Sequence, residues 1–367
     1  MLNKEEKLTM MTPRERVLTT LSHRKPDKVP KYIRFTPEMK VKVREKIGTD
    51  NYEDHFGIEI RRVGFKPTKK LPDFTPYYGD FLPENTYFDD WGIPFVVGSE
   101  GHIKRELYPM ANFKTEEEIF EYPWPDFMAS YRHKHLEREV NKLHNQGYAV
   151  IGRLTEISGG FIFETAWQLR GMDNLFVDFY DNPDFARILL DKITRINAEV
   201  SVRFAEAGVD ILWLADDIGT QDKMLMSPDM WRKWLKPRLK LLIDSAKRVS
   251  PHIHIFYHSD GFIEPVIPDL IEIGVDILNP IQPECMNPVK LKKLYGDKLS
   301  FFGTIGVQTV MPFGSPEDVK RNVREMVEKV GKGGGFIIAP THFVSTQVPW
   351  ENVEAFFEAV EEFGRYR

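Results

Sequence analysis

The chain of 367 residues holds a single cysteine, Cys285, so no disulfide can form within it and a reducing compartment is the natural expectation. Long hydrophobic runs are missing too: no stretch reaches the ~18 apolar residues that a membrane helix requires. The first residues, MLNKEEKLTMMTPRERV, carry charges throughout and no apolar core of the secretory type. A soluble cytoplasmic protein is expected, with no membrane partner. Positive charge is not in excess either, since 50 Lys and Arg stand against 55 Asp and Glu for a net charge of -5. Without a basic field the chain has no electrostatic grip on a polyphosphate backbone, which argues against nucleic acid and for a small molecule as ligand. Zinc-type C-x-x-C and H-E-x-x-H spacings are absent, and GKGGGF at 331 to 336 lacks the lysine-serine ending of a phosphate-binding loop. That glycine run reads as a turn before a strand.

What is present is aromatic and regular. The 26 Phe, 13 Tyr and 7 Trp supply large side chains for a core or a pocket wall. From about residue 150, short Val/Ile/Phe-rich runs alternate with amphipathic helical segments: YAVIGRL (148 to 154), VDILWLA (209 to 215), HIHIFYH (252 to 258), VDILNPI (275 to 281), KLSFFGTI (298 to 305) and GFIIAP (335 to 340). Little polar alternation interrupts these runs, as expected of buried parallel strands. The helical segments beginning at Asn182-Pro183 and Ser315-Pro316 open on a capping residue followed by proline, and each stops near a glycine. One internal echo, AGVDILWL at 207 to 214 and IGVDILNP at 273 to 280, repeats the same helix, glycine, strand entry. Repeated βα units without a dinucleotide fingerprint favour an α/β fold of the (β/α)8 TIM-barrel kind over a doubly wound sheet. Residues 1 to 145 have another texture. Turn residues and aromatics between 71 and 110 suggest an N-terminal extension with a hairpin insertion over the C-terminal face of the barrel. No low-complexity linker separates the parts, so one elaborated domain spanning 1 to 367 is expected, with the regular units in 146 to 367.

In such a barrel the site lies at the C-terminal ends of the strands. The residues just past the apolar runs are Glu156, Asp216 and Asp217, His258 and Asp260, Gln282, Glu284 and Cys285, and His342. Each has an ordinary reading: a strand-end histidine can be a hydrogen-bonding group, Asp216 or Asp217 can cap the next helix, and Cys285 can be a small buried side chain. Their accumulation at one end of successive strands points instead to a shared polar basin. His258, Asp260, Cys285 and His342 offer donors that suit a metal, although spacing alone specifies none.

Several longer stretches resemble the uroporphyrinogen decarboxylase superfamily, which also contains cobalamin-dependent methyltransferases. They are TPRERVLTTLSHRKPDKVPKYIRF (12 to 35), LADDIGTQDKMLMSPDMWRKWLKPRLKLLID (214 to 244), YGDKLSFFGTIGVQTV (295 to 310) and GGFIIAPTHFVSTQVPWENVEAFFEAV (334 to 360), and the similarity runs over nearly the whole chain. The resemblance implies a (β/α)8 barrel and a homodimer. The family's Arg-Gln-Ala-Gly-Arg-Tyr type motif, whose arginines answer porphyrinogen carboxylates, is replaced here by PKYIRFTPEMK, which retains Arg34. The methyltransferase branch builds a zinc site from a His-x-Cys pair and a later Cys. The corresponding positions here read His258-Ser259-Asp260 and His342. What the resemblance then implies is a methyltransferase moving a methyl group between a small methylated compound, such as a methoxyaromatic, and cobalamin on a partner corrinoid protein. His258, Asp260 and His342 would hold a divalent metal, zinc by family pattern, with Cys285 as an additional sulfur. Glu156, Asp217 and His342 would be the acid-base groups, and Asp216, Gln282, Glu284 and Arg34 would bind substrate. Decarboxylation of uroporphyrinogen or a relative, and non-catalytic tetrapyrrole binding, are the alternatives.

Overall fold

The computed structural model describes residues 10–78, 82–97, 103–104, 107–154 and 161–366. Seven parallel strands lie side by side: β1 (Ile60–Val63), β5 (Ala149–Gly152), β6 (Ile211–Ala215), β7 (His254–His258), β8 (Ile277–Asn279), β9 (Ser300–Ile305) and β10 (Phe336–Pro340). Between β1 and β5 come β2 (Tyr87–Phe88), β3 (Pro94–Val97) and β4 (Ile103–Lys104), a separate antiparallel sheet. The six apolar runs read from the sequence are thus six of the barrel strands.

The remaining place in the ring belongs to the segment 30–35. Tyr32 N donates to Ile338 O and Ile338 N to Pro30 O, while parallel bridges join Lys31 to Ile338 and Phe35 to Val344. On its other side Lys31 N donates to the carboxylate of Glu59, just before β1. The regular part of the barrel therefore starts well before residue 146. The sequence pattern hides this because YIRF and IRRV place arginines in alternation with apolar residues. Arg62 faces the barrel interior, whereas Arg61 turns outward to stack on Tyr148. The result is a TIM barrel, helices outside and strands within.

The local reasons for the regular elements are visible residue by residue. Helix Pro183–Ala207 follows Asn182 and ends at Gly208 with φ of 81°, a left-handed stop that glycine adopts without strain. Ser315 caps helix Pro316–Lys329 through a capping box with Asp318. The echoed Val-Asp-Ile-Leu entries play one structural part twice. Asp210 accepts from Val150 N with its carboxylate and Asp276 accepts from Ile255 N, each bonding the preceding strand. Both aspartates also link backbone to backbone on either side, Asp210 between Val150 and His254 and Asp276 between Ile255 and Ser300.

One buried core runs continuously from Val17 to Val360. The aromatics of the insertion pack among themselves, with Phe74, Trp91, Tyr122, Trp124 and Phe127 in ring contact, and Phe127 meets Phe65 beyond β1. Residues Met110–Phe113 lie against helix Phe163–Arg170, whose Arg170 donates to Met110 O and Phe113 O. The insertion was expected to cover the barrel mouth. Its described residues form an aromatic cluster packed at the C-terminal end of β1, and none of them lines the central cavity. No helix among the described residues is long and apolar enough to cross a membrane.

Candidate functional site

At the C-terminal ends of β6 and β7, two loops are pressed together by glycines. A Cβ on Gly219 would lie 2.7 Å from Asp260 O and Phe262 N, and one on Gly261, at φ of 81°, would lie 2.5 Å from Thr220 O. Only residues without a side chain permit this approach. Hydrogen bonds then lock it: Asp260 N donates to Asp217 Oδ1 (2.8 Å), Ile218 N to Ser259 Oγ (3.1 Å) and Phe262 N to Thr220 O (2.7 Å). The consequence is that Asp217 and Asp260, 43 positions apart, stand beside the imidazole of His258.

One donor atom from each of Asp217, His258 and Asp260 falls within 4.8 Å of the others. His258 Nε2 is 3.8 Å from Asp217 Oδ1 and 3.9 Å from Asp260 Oδ1. The other ring nitrogen, Nδ1, lies 2.6 Å from Asn279 Oδ1, and the Asn279 amide donates in turn to Phe302 O. With the amide oriented that way, Nδ1 carries the proton and the Nε2 lone pair points at the carboxylates. Burial holds His258 below its ordinary value, which keeps it neutral. Asp260 Oδ1 is buried with no hydrogen-bond partner. Desolvation first, and then the neighbouring charge of Asp217, push the Asp260 carboxyl up to about 7. Two carboxylates, a neutral imidazole lone pair and an orphaned oxygen form a set of donors without a cation, and they fit a divalent metal with a taste for oxygen and imidazole ligands.

The membership of this set differs from the ligands inferred from sequence. Asp217 belongs to it. His342 stands at its edge, Nε2 3.9 Å from Asp260 Oδ2, with nearly half its side chain exposed and its basicity lowered by desolvation. Cys285 is outside the set, half-buried, with Sγ donating to Gln221 Oε1 at 3.1 Å, and burial raises its thiol rather than favouring the thiolate.

Three of the expected substrate binders make hydrogen bonds within the fold. Asp216 is buried and accepts from Phe161 N, Ile162 N and Glu164 N at the start of helix Phe163–Arg170, so its oxygens serve as a cap supplied from another strand. Gln282 Oε1 receives Gly261 N at 2.5 Å and holds the His258 loop. Glu284 Oε1 accepts from Thr309 Oγ1 at 2.6 Å. Arg34 lines the central cavity. Glu156 lies outside the described residues.

That cavity is walled by residues of the ring, Tyr32, Trp213, Phe256 and Phe302 among them, with Asn279 and His342 toward the triad. The ring of His258 stacks on Trp213 at a centroid distance of 5.7 Å, so triad and cavity share a wall. Asn279, Arg62 and Arg153 were not singled out from the sequence. Asn279 and Arg153 satisfy the same strand-end criterion as His258, being the last residue of β8 and the first after β5.

Residues 159–363 match the family model described as uroporphyrinogen decarboxylase (URO-D), and the chain belongs to this family of enzymes. Its relatives are of two kinds. A methylcobamide:CoM methyltransferase MtaA of Methanosarcina barkeri is 26% identical over 179 residues, 48% of this chain and 49% of that protein. A uroporphyrinogen decarboxylase of Rickettsia felis is 26% identical over 348 residues, 89% of this chain and 90% of that one. The chain spans about half the length of the methyltransferase relatives it matches. Among solved structures, a methyltransferase from Methanosarcina mazei superposes with a TM-score of 0.69 at 18% identity, covering 96% of this chain and 99% of that one, which shows the shared barrel fold.

Proposed function

We propose that the protein is a metal-assisted methyltransferase that moves a methyl group between a small methylated compound, such as a methoxyaromatic, and a cobalamin carried by a partner corrinoid protein. The observation that carries this reading is the triad itself: Asp217 and Asp260 brought together against the lone pair of a His258 whose tautomer is set by Asn279. A pair of acidic groups, one with a buried oxygen lacking any hydrogen bond, is a costly arrangement unless a cation resolves it. Asp217, His258 and Asp260 would hold a divalent metal, zinc by analogy with the methyltransferase relatives, with their oxygen-rich set equally open to harder ions. Bound there, the metal would act as a Lewis acid toward the oxygen or sulfur that bears the methyl group.

The chain's own residues do the rest. Asn279 keeps the His258 proton on Nδ1, the Gly219 and Gly261 contact fixes the carboxylates, and the aromatic wall excludes water from the substrate body. His342, accessible and with its basicity lowered by desolvation, can take a proton from solvent and pass it as imidazolium to the demethylated oxygen, or accept one as the neutral ring in the reverse direction. A soluble homodimer in the cytoplasm is the setting this reading carries with it.

Metal analysis of protein purified without chelator, wild type beside His258→Ala, tests the proposal together with methyl transfer from methoxyaromatic donors to free cobalamin. Near-stoichiometric metal lost in the variant, with metal-dependent transfer, is expected. Metal absent from both proteins would overturn it. The second reading, decarboxylation, is favoured by arginines on the cavity wall and by the long match to a decarboxylase, and predicts turnover in chelator.

A further inference from the structure

Below the triad, the central cavity presents an imbalance of charge. Arg34 and Arg153 line it, and none of its described lining residues is an aspartate or glutamate. Arg153 is the telling one. Its residue is 8% exposed, and its Nε and Nη1 atoms are buried with no hydrogen-bond partner. Its guanidinium carbon lies 4.0 Å from the centre of the Trp213 ring, so packing holds the plane while Nε and Nη1 are left without acceptors. Arg34, also on the cavity wall, is stacked 4.0 Å over Phe343, with desolvation lowering its affinity for the proton it carries. Buried guanidinium donors without acceptors are unfavourable in a folded protein, and an anionic acceptor is their natural complement.

We infer that Arg153, together with Arg34, binds the acidic group of the substrate, and that the substrate is a small aromatic acid whose far end reaches the Asp217, His258 and Asp260 triad. The aromatic part follows from the walls. Trp213 touches both Arg153 and the ring of His258, and Phe256 and Phe302 meet edge to face at 5.2 Å alongside. A carboxylate or sulfonate anchored at Arg153 therefore leaves a ring against this aromatic wall and directs the opposite substituent toward the triad. Arg153 is a binding and orienting residue in this account, and no proton moves through it. The inference rests on the methyl-transfer reading only for the identity of the reacting end.

The test is calorimetric binding of paired probes: benzoate, 4-methoxybenzoate and benzenesulfonate against the neutral 4-methoxybenzamide and anisole. Wild type, Arg153→Met, Arg153→Lys and Asp260→Asn are each measured in chelator. Acids should bind wild type roughly 10- to 100-fold more tightly than their neutral partners, the effect of charge-assisted hydrogen bonds in a dry site. Arg153→Met should erase that preference, Arg153→Lys should keep part of it, and Asp260→Asn, which removes a negative charge felt by Arg34, should keep or strengthen it. If the wild type binds acids and neutral probes equally or binds no acid, or if Arg153→Met discriminates as wild type does, the inference is overturned. Because the wild-type comparison needs no variant, poor folding of Arg153→Met would not shelter it. Chelated protein also separates the two proposals: lost acid preference leaves the metal reading standing, and a missing metal leaves the arginine site standing.

Discussion

In metal-free protein Asp260 should work against the fold, and Asp260→Asn should make the chain more stable. Its carboxyl is raised from 3.8 to about 7 in the folded state, by desolvation and by Asp217. A carboxyl raised on folding binds its proton more tightly in the native state. The ionised form therefore costs nothing below the unfolded value, costs more as pH climbs between 3.8 and about 7, and costs its full amount above. That interval corresponds to about 4 kcal/mol at pH 8. The side chain is 30% exposed, so solvent screening reduces the figure to roughly 2 kcal/mol. An asparagine at 260 removes the like charge and offers Asp217 a donor. Urea denaturation of both proteins in chelator should show the variant ahead by roughly 2 kcal/mol at pH 8 and level with wild type near pH 4. With a saturating divalent metal the order should reverse, because binding to the native state stabilises the wild type. A variant less stable than wild type in chelator at pH 8 would refute the reasoning, since it would mean that Asp260 has partners that hold it ionised.

Four further outcomes follow from the same geometry. His258→Ala should lose metal by equilibrium dialysis outright, and Asn279→Ala, which only releases the ring, should weaken it about 10- to 100-fold. Metal affinity should fall as pH drops below 7, because Asp260 must lose its proton to bind; a flat titration between pH 5 and 7 would contradict this. Asp216→Ala should destabilise the fold by about 2–4 kcal/mol in thermal or urea unfolding, having left several buried N–H groups unpaired at the start of helix Phe163–Arg170, without changing metal stoichiometry in the folded fraction. Arg153→Met should abolish preference for acidic ligands as described above.

Six strands were legible because continuous apolar runs bounded by capped helices have few other ways to be buried. The strand at Ile60–Val63 and the closing segment 30–35 were not, since their arginines make them look like surface until a polar cavity is known to exist on one side and a stacking tyrosine on the other. The same limit applied to the site. Reading strand ends correctly drew attention to His258, Asp260 and Asp217, but chain position gives no distances, so it could not separate Asp217 in the triad from Asp216 under the helix one residue away. Adjacent residues at a strand end point to opposite sides, and which side is the mouth is decided by the barrel's curvature.

The sequence by itself determined the alternation of strands and helices, the glycine stops, the family and the end of the barrel where chemistry would be found, because these depend on local pattern. Tertiary structure alone decided that Gly219 and Gly261 interlock to bring two carboxylates to one imidazole, that Asn279 sets the tautomer, that Cys285 is outside the set, and that Arg153 lines a cavity with no acid among its described lining residues. The physical reason is range. Propensity and periodicity act over a few residues, whereas a ligand set or an unpaired buried charge exists only once loops remote in the chain are packed within a few ångströms.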